Sequence, residues 1–258
     1  MPDEPVLAVL LISTIAAVFG ALGALPFGLP RPPSRAMVGG AYALASGLML
    51  GAGYLLLGRG LDRATVPVIV GAALGVAYTH WSQVYSGLVD LQVDLGAAPS
   101  VADPVEVAAP ELGYKVLLQY ALHSAAEGVA IGVAMVLELR LGIFLALALA
   151  VHNVAESMAL TEILRRRGIA VSAAAGLCVV AKITQPVLAL AAFALAPVMT
   201  ALLPGALGFA AGCMVFLVLT ELLPASYRRA SRLPVGLLVS VAAGALLMLE
   251  HVFVAAGD

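Results

Sequence analysis

Two histidines in this chain are each followed four residues later by a glutamate. The first pair is His123 and Glu127, within His123-Ser124-Ala125-Ala126-Glu127-Gly128. The second is His152 and Glu156, within His152-Asn153-Val154-Ala155-Glu156. In a helix, residues four apart share a face, so each pair presents an imidazole beside a carboxylate. The two segments flank a short polar turn, Glu138-Leu139-Arg140. Folded back antiparallel about that turn, they place His123 level with Glu156, about 25 Å along the helix, and Glu127 level with His152, about 19 Å along it. Four side chains then converge at two adjacent depths. Two imidazoles and two carboxylates with no thiolate suit Zn2+ first, with Fe2+, Mn2+, Co2+ and Cd2+ as competitors. One pair alone would be structural glue, a histidine bonded to a carboxylate. Two copies at matched depth point to a metal site.

Such a cluster must be held by elements that the rest of the chain supplies. Hydrophobic residues make up 62% of the 258 and charged residues only 11%. The mean hydropathy is +1.07, which excludes an ordinary soluble domain. Taking about 20 apolar residues per crossing, eight candidate spans run over 5–25, 36–57, 65–88, 112–137, 141–164, 169–195, 199–223 and 233–255. The expected class is an all-α integral membrane protein forming a single membrane domain over 1–258. Ionisable groups inside hydrocarbon are costly, so His123, Glu127, His152 and Glu156, on the fourth and fifth spans, read as lining an ion path. The acidic start, Met1-Pro2-Asp3-Glu4-Pro5, is unlike a secretory signal, so the first apolar run is read as a retained span.

Lys and Arg accumulate on the cytoplasmic side of membrane proteins. With the N-terminus outside, the inner connections hold Arg31, Arg35, Arg165, Arg166, Arg167, Arg228, Arg229 and Arg232, against Arg59, Arg63 and Arg140 outside. Both termini are therefore expected outside. Residues 90–111 form an acidic, proline-broken loop, read chiefly as a solvated linker. Glycines such as Gly47, Gly51, Gly205, Gly208 and Gly212 are read as helix-packing positions. Cys178 and Cys213 lack ligand spacing and are read as small buried residues. Ser46 and Met49 in the second span are candidate path residues, with packing the competing reading for Met49. Glu221 and Asp90, at cytoplasmic ends of spans, are candidate relay carboxylates; interfacial anchoring competes. His80 reads as a hydrogen-bonded structural or interfacial residue, and His251 as facing water or helping at the entrance.

Over essentially its whole length the chain resembles the ZIP (Zrt-, Irt-like protein) divalent metal transporters. The residues that carry the likeness are His123 to Gly128 on the fourth span and His152 to Glu156 on the fifth. The seventh span adds Ala210-Ala211-Gly212-Cys213-Met214 and Thr220-Glu221-Leu222-Leu223-Pro224. The resemblance implies a three-plus-two-plus-three arrangement, helices 1–3 and 6–8 being related by inversion around helices 4 and 5. It also implies metal transport towards the cytoplasm across the plasma (inner) membrane. The partners are then a divalent ion and the lipid bilayer, with no nucleic acid; a homodimer is left open. In many members a second metal position uses the residue after each histidine and a glutamate before a proline in the sixth span. Here those places read Ser124, Asn153 and Gln185, none of them an anion. Lys182 lies three residues before Gln185, on the same face of a continuous helix, and is read as standing in for the second cation, so that one metal binds. Snorkelling of Lys182 to an interface is the competing reading. Many members also carry proline before each glutamate; with Ala126 and Ala155 in those places a proline-driven kink is in doubt, while Gly128 and the neighbouring alanines leave local bending open. The alternative function is an intramembrane metal-dependent hydrolase. It would need an open coordination position and a general base, and the His-Glu-x-x-His pattern is absent.

Overall fold

The computed structural model describes residues 3–86, 110–195 and 200–255, and every regular element among them is helical. Helix α1 (Asp3–Phe19) continues as a tighter 3-10 stretch, Gly20–Gly28. Helix α2 (Arg35–Leu61) starts at Ser34, whose Oγ accepts from the Met37 N–H at 3.2 Å and so satisfies one of the helix's free donors. Helix α3 follows at Thr65–Ser86. Helices α4 (Pro110–Leu137) and α5 (Leu139–Arg166) are joined by one extended residue, Glu138. Both run unbroken past the His-x-x-x-Glu pairs, where Ala126 and Ala155 leave the main-chain hydrogen bonds intact. Gly168 ends α5 at φ +78, where its N–H bonds to Arg165 O and the next N–H, of Ile169, reaches back to Leu164 O.

The sixth span departs from expectation. Rather than one continuous helix over 169–195, it is α6 (Val171–Ala181), a turn at Lys182 and Ile183, and α7 (Thr184–Leu195). Pro186 is the cause: it has no N–H to offer the carbonyl four residues back, that of Lys182, and its ring would strike it. The Lys182 carbonyl accepts from Gln185 N at 3.0 Å instead. Lys182 and Gln185 therefore do not lie along one regular helix face.

Pro224 acts similarly in the seventh span. Helix α8 (Leu203–Leu217) passes through a wide turn at Val218–Leu222, closed by Leu223 N–H to Val218 O, into α9 (Leu223–Tyr227). Glu221 sits in that turn. Helix α10 (Arg232–Ala255) completes the described chain.

Seven of these rods are long and apolar enough to cross a membrane. The exception is α3, whose second half carries Thr79, His80, Ser82 and Gln83. The helices sort into two groups by packing. In one, α4 lies along α7, and α1 with its 3-10 extension lies along α5, α6 and α7; in the other, α2 lies along α8 and α10, and α3 along α8. Gly128 shows how close the first group packs: a Cβ there would collide with the backbone carbonyl of Gln185 on α7. Gly47 and Gly51 meet α10, and Gly208 and Gly212 meet α3, as their packing role requires.

Candidate metal centre

Because α4 and α5 are antiparallel and unbroken, the two His-Glu pairs face each other. His123 Nε2 lies 3.2 Å from Glu127 Oε1 and 3.7 Å from Glu156 Oε1. His152 Nε2 lies 3.0 Å from Glu127 Oε1 and 3.6 Å from Glu156 Oε2. One ligand atom from each of the four lies within 4.8 Å of the others, and all four residues are buried. A tetrahedral zinc shell with bonds of about 2.0–2.1 Å has ligand-to-ligand edges of about 3.4 Å; the four His–Glu separations lie around that value, while the set of four as a whole extends to 4.8 Å. His123 Nε2, Glu127 Oε1 and His152 Nε2 have no hydrogen-bond partner among the described residues. Buried polar atoms are normally paired, so three without partners gathered at one place mark it as suited to a cation.

Lys182 closes the other side. Its ammonium donates to Glu127 Oε2 at 3.1 Å and to Glu156 Oε2, bridging one oxygen of each carboxylate. The residue is 1% exposed, so it does not snorkel to an interface. The turn forced by Pro186 is what places its stem between α4 and α5.

The places beside this cluster are neutral. Asn153 donates through Nδ2 to Gln185 Oε1 at 2.9 Å and to the Ala16 carbonyl at 2.9 Å, tying α5 to α7 and α1. Ser124 is fully buried, and its hydroxyl has no partner among the described residues. Two further hydroxyls grip α4 just before His123: Thr184 Oγ1 donates to Ala121 O at 2.7 Å and Tyr78 OH to Leu122 O at 2.8 Å. No motif marks Thr184 or Tyr78, since each acts on a main-chain atom of another helix.

Glu221 is gathered into a second polar group. It accepts from Gln83 Nε2 at 2.8 Å and from Gln119 Nε2 at 3.2 Å, and Ser86 Oγ donates to Gln119 Oε1 at 2.9 Å. Gln119 is one helical turn before His123, so a polar stripe continues along α4 from the cluster towards Glu221. Gln83, Ser86 and Gln119 carry no charge and escaped the sequence reading; the excess of polar residues late in α3 was the available signal. Ser46 and Met49 are not drawn into the cluster. The Ser46 hydroxyl donates to Tyr42 O on its own helix at 2.7 Å, and Met49 is buried in the apolar core. Asp90 and most of the acidic 90–111 loop lie outside the described residues. His80 is exposed with its ring edge-on to Phe216, and His251 is exposed. Cys178 and Cys213 are both buried and unbridged.

A family model described as ZIP zinc transporter matches residues 104–250, more than half of the chain, and includes His123, Glu127, His152 and Glu156. The chain belongs to the ZIP family. Among curated proteins, "Putative zinc transporter At3g08650" from Arabidopsis thaliana is 28% identical over 246 residues, 93% of this chain. The chain spans 38% of that relative's length. ZIP proteins are transporters and not enzymes, which sets the hydrolase alternative aside, and the apolar rods agree with a multi-pass membrane protein.

Proposed function

We propose that this chain moves a divalent transition-metal ion, zinc first, through the bilayer towards the cytoplasm, one ion at a time. His123, Glu127, His152 and Glu156 are its ligands. The observation that carries this is the gathering of four buried ligand atoms, one from each residue, within 4.8 Å of one another, with His123 Nε2, Glu127 Oε1 and His152 Nε2 lacking partners among the described residues. Mixed imidazole and carboxylate donors suit zinc and leave iron, manganese, cobalt and cadmium as competitors. Ser124, Asn153 and Gln185 offer a second cation no negative charge, and Lys182 already brings positive charge there.

The chain works as one membrane domain of eight spans in a three-plus-two-plus-three arrangement, the outer triplets related by inversion, with both termini outside the plasma membrane. Access to the site alternates as one helix group moves against the other. Glu221 relays the ion towards the cytoplasmic end, and Asp90 stands at the same side.

Uptake of radioactive zinc into proteoliposomes tests the reading. Uptake that His123→Ala or Glu156→Ala abolishes is the expected result, with competition by the other metals ranking them. No uptake by the unaltered protein under any gradient overturns transport. Two ions per chain at the centre, counted on purified protein, overturns the one-ion part alone.

A further inference from the structure

We propose that Gln83 and Gln119 are positioning residues for the departing ion. From opposite helix groups they fill one oxygen of Glu221, so that this carboxylate meets its cargo through the other oxygen alone. The inference deepens the transport reading above and rests on the relay role given there to Glu221.

The bonds converge on a single atom. Gln83 Nε2, on α3, donates to Glu221 Oε1 at 2.8 Å, and Gln119 Nε2, on α4, donates to the same oxygen at 3.2 Å. A carboxylate offers about four lone-pair sites over its two oxygens, so two N–H donors fill one oxygen. Glu221 Oε2 takes no hydrogen bond among the described residues. Hydroxyls fix the direction of both amides. Ser86 Oγ donates to Gln119 Oε1 at 2.9 Å, which turns the Gln119 nitrogen towards Glu221. Gln83 Nε2 also donates to Thr220 Oγ1 at 2.8 Å, and that hydroxyl donates to the Phe216 carbonyl. Both glutamines are buried, so each amide depends on these partners.

The consequence concerns how firmly Glu221 holds a cation. A carboxylate with both oxygens open can chelate a metal, whereas one with a filled oxygen offers a single bond. A residue on an ion path must bind well enough to receive the ion and weakly enough to let it leave. Four ligands at the centre followed by a one-oxygen contact meet that need. Neither glutamine hydrogen-bonds to a residue of the metal centre among the described residues, so the pair acts on passage and not on the first binding step.

Zinc uptake into proteoliposomes, measured against zinc concentration, tests this. Gln119→Met keeps the shape of the side chain and removes the donor. It is expected to lower the maximal rate about fivefold, with the half-saturating concentration rising less than about twofold. Gln83→Met, made on the opposite helix group, is expected to act in the same direction. A zinc-dependent rise in the unfolding midpoint shows in each variant that the centre is intact. In a Glu221→Gln background, where the oxygen pair is gone, Gln119→Met is expected to change the rate by less than about twofold. The positioning role is overturned if Gln119→Met costs the same factor in both backgrounds, leaves the maximal rate unchanged, or acts mainly by raising the half-saturating concentration. Glu221→Gln transporting as the unaltered protein does overturns the relay reading and this inference with it. No uptake by the unaltered protein overturns transport itself.

Discussion

The stretch of α4 and α5 between the His–Glu cluster and their connecting turn differs in its polar contacts from the stretch on the other side of the cluster. Towards the turn, Ala130, Ile131, Ala134, Leu145, Ala146 and Leu149 belong to a dry core with Met49, Leu207 and Met214 of the opposite helix group. Away from the turn, Ala155, Met158 and Ala159 of α5 still belong to that core, together with Val218 and Leu222, but polar contacts between the two groups are added beside them. Tyr78 bonds to Leu122 O, Ser86 to Gln119, Gln119 to Glu221, and Arg229 Nη2 to Glu162 Oε2 at 3.3 Å. An apolar seam excludes an ion, whereas hydrogen-bonding groups replace part of its hydration shell. The difference teaches that hydrogen-bonding groups between the two helix groups are concentrated on one side of the cluster, although the helices themselves are continuous through both.

The largest expected effect comes from breaking the dry side. Ala134→Glu would bury an unpaired carboxylate there, with an expected loss of roughly 3 kcal/mol or more. Thermal unfolding in detergent reads it, and an unchanged midpoint would show that this seam is wet. Next is the cluster: zinc at about 100 times its dissociation constant should stabilise the protein by about 2.7 kcal/mol. That gain should vanish in His123→Ala.

On the polar side, Gln119→Leu removes a donor from Glu221 and the acceptor for Ser86, with an expected cost of about 1–2 kcal/mol. It should slow zinc flux while leaving zinc binding within about twofold; weakened binding would mean the two polar groups are one site. The smallest effect is Glu162→Gln, because Glu162 pairs with Arg166 and Arg229 near the end of α5. No more than about 1 kcal/mol is expected from such an ion pair. A larger loss would make that pair, and not the apolar seam, the main tie between the helix groups.

How far the site could be read in advance depended on the range of the contacts. The i, i+4 spacing and the short turn place His123, Glu127, His152 and Glu156 together by helix geometry alone. The sixth span was misjudged as continuous because a run of apolar residues outweighed one proline, although Pro186 necessarily disturbs the carbonyl of Lys182. The wide turn beside Glu221 went unread for the same reason, with Pro224 as its visible cause. Gln83, Ser86 and Gln119 lay beyond reach, since neutral polar residues in three separate stretches acquire meaning only when helices from both groups meet.

Local rules therefore determined the membrane class, the approximate rods and the four facing side chains, because hydropathy and helical period are properties of neighbouring residues. Tertiary structure alone decided that Lys182 bridges Glu127 and Glu156 and that Glu221 is held by two glutamines. It also decided that the polar contacts between the helix groups gather on one side of the cluster. Each of those depends on which faces of distant helices meet, and short-range preferences carry no information about that choice.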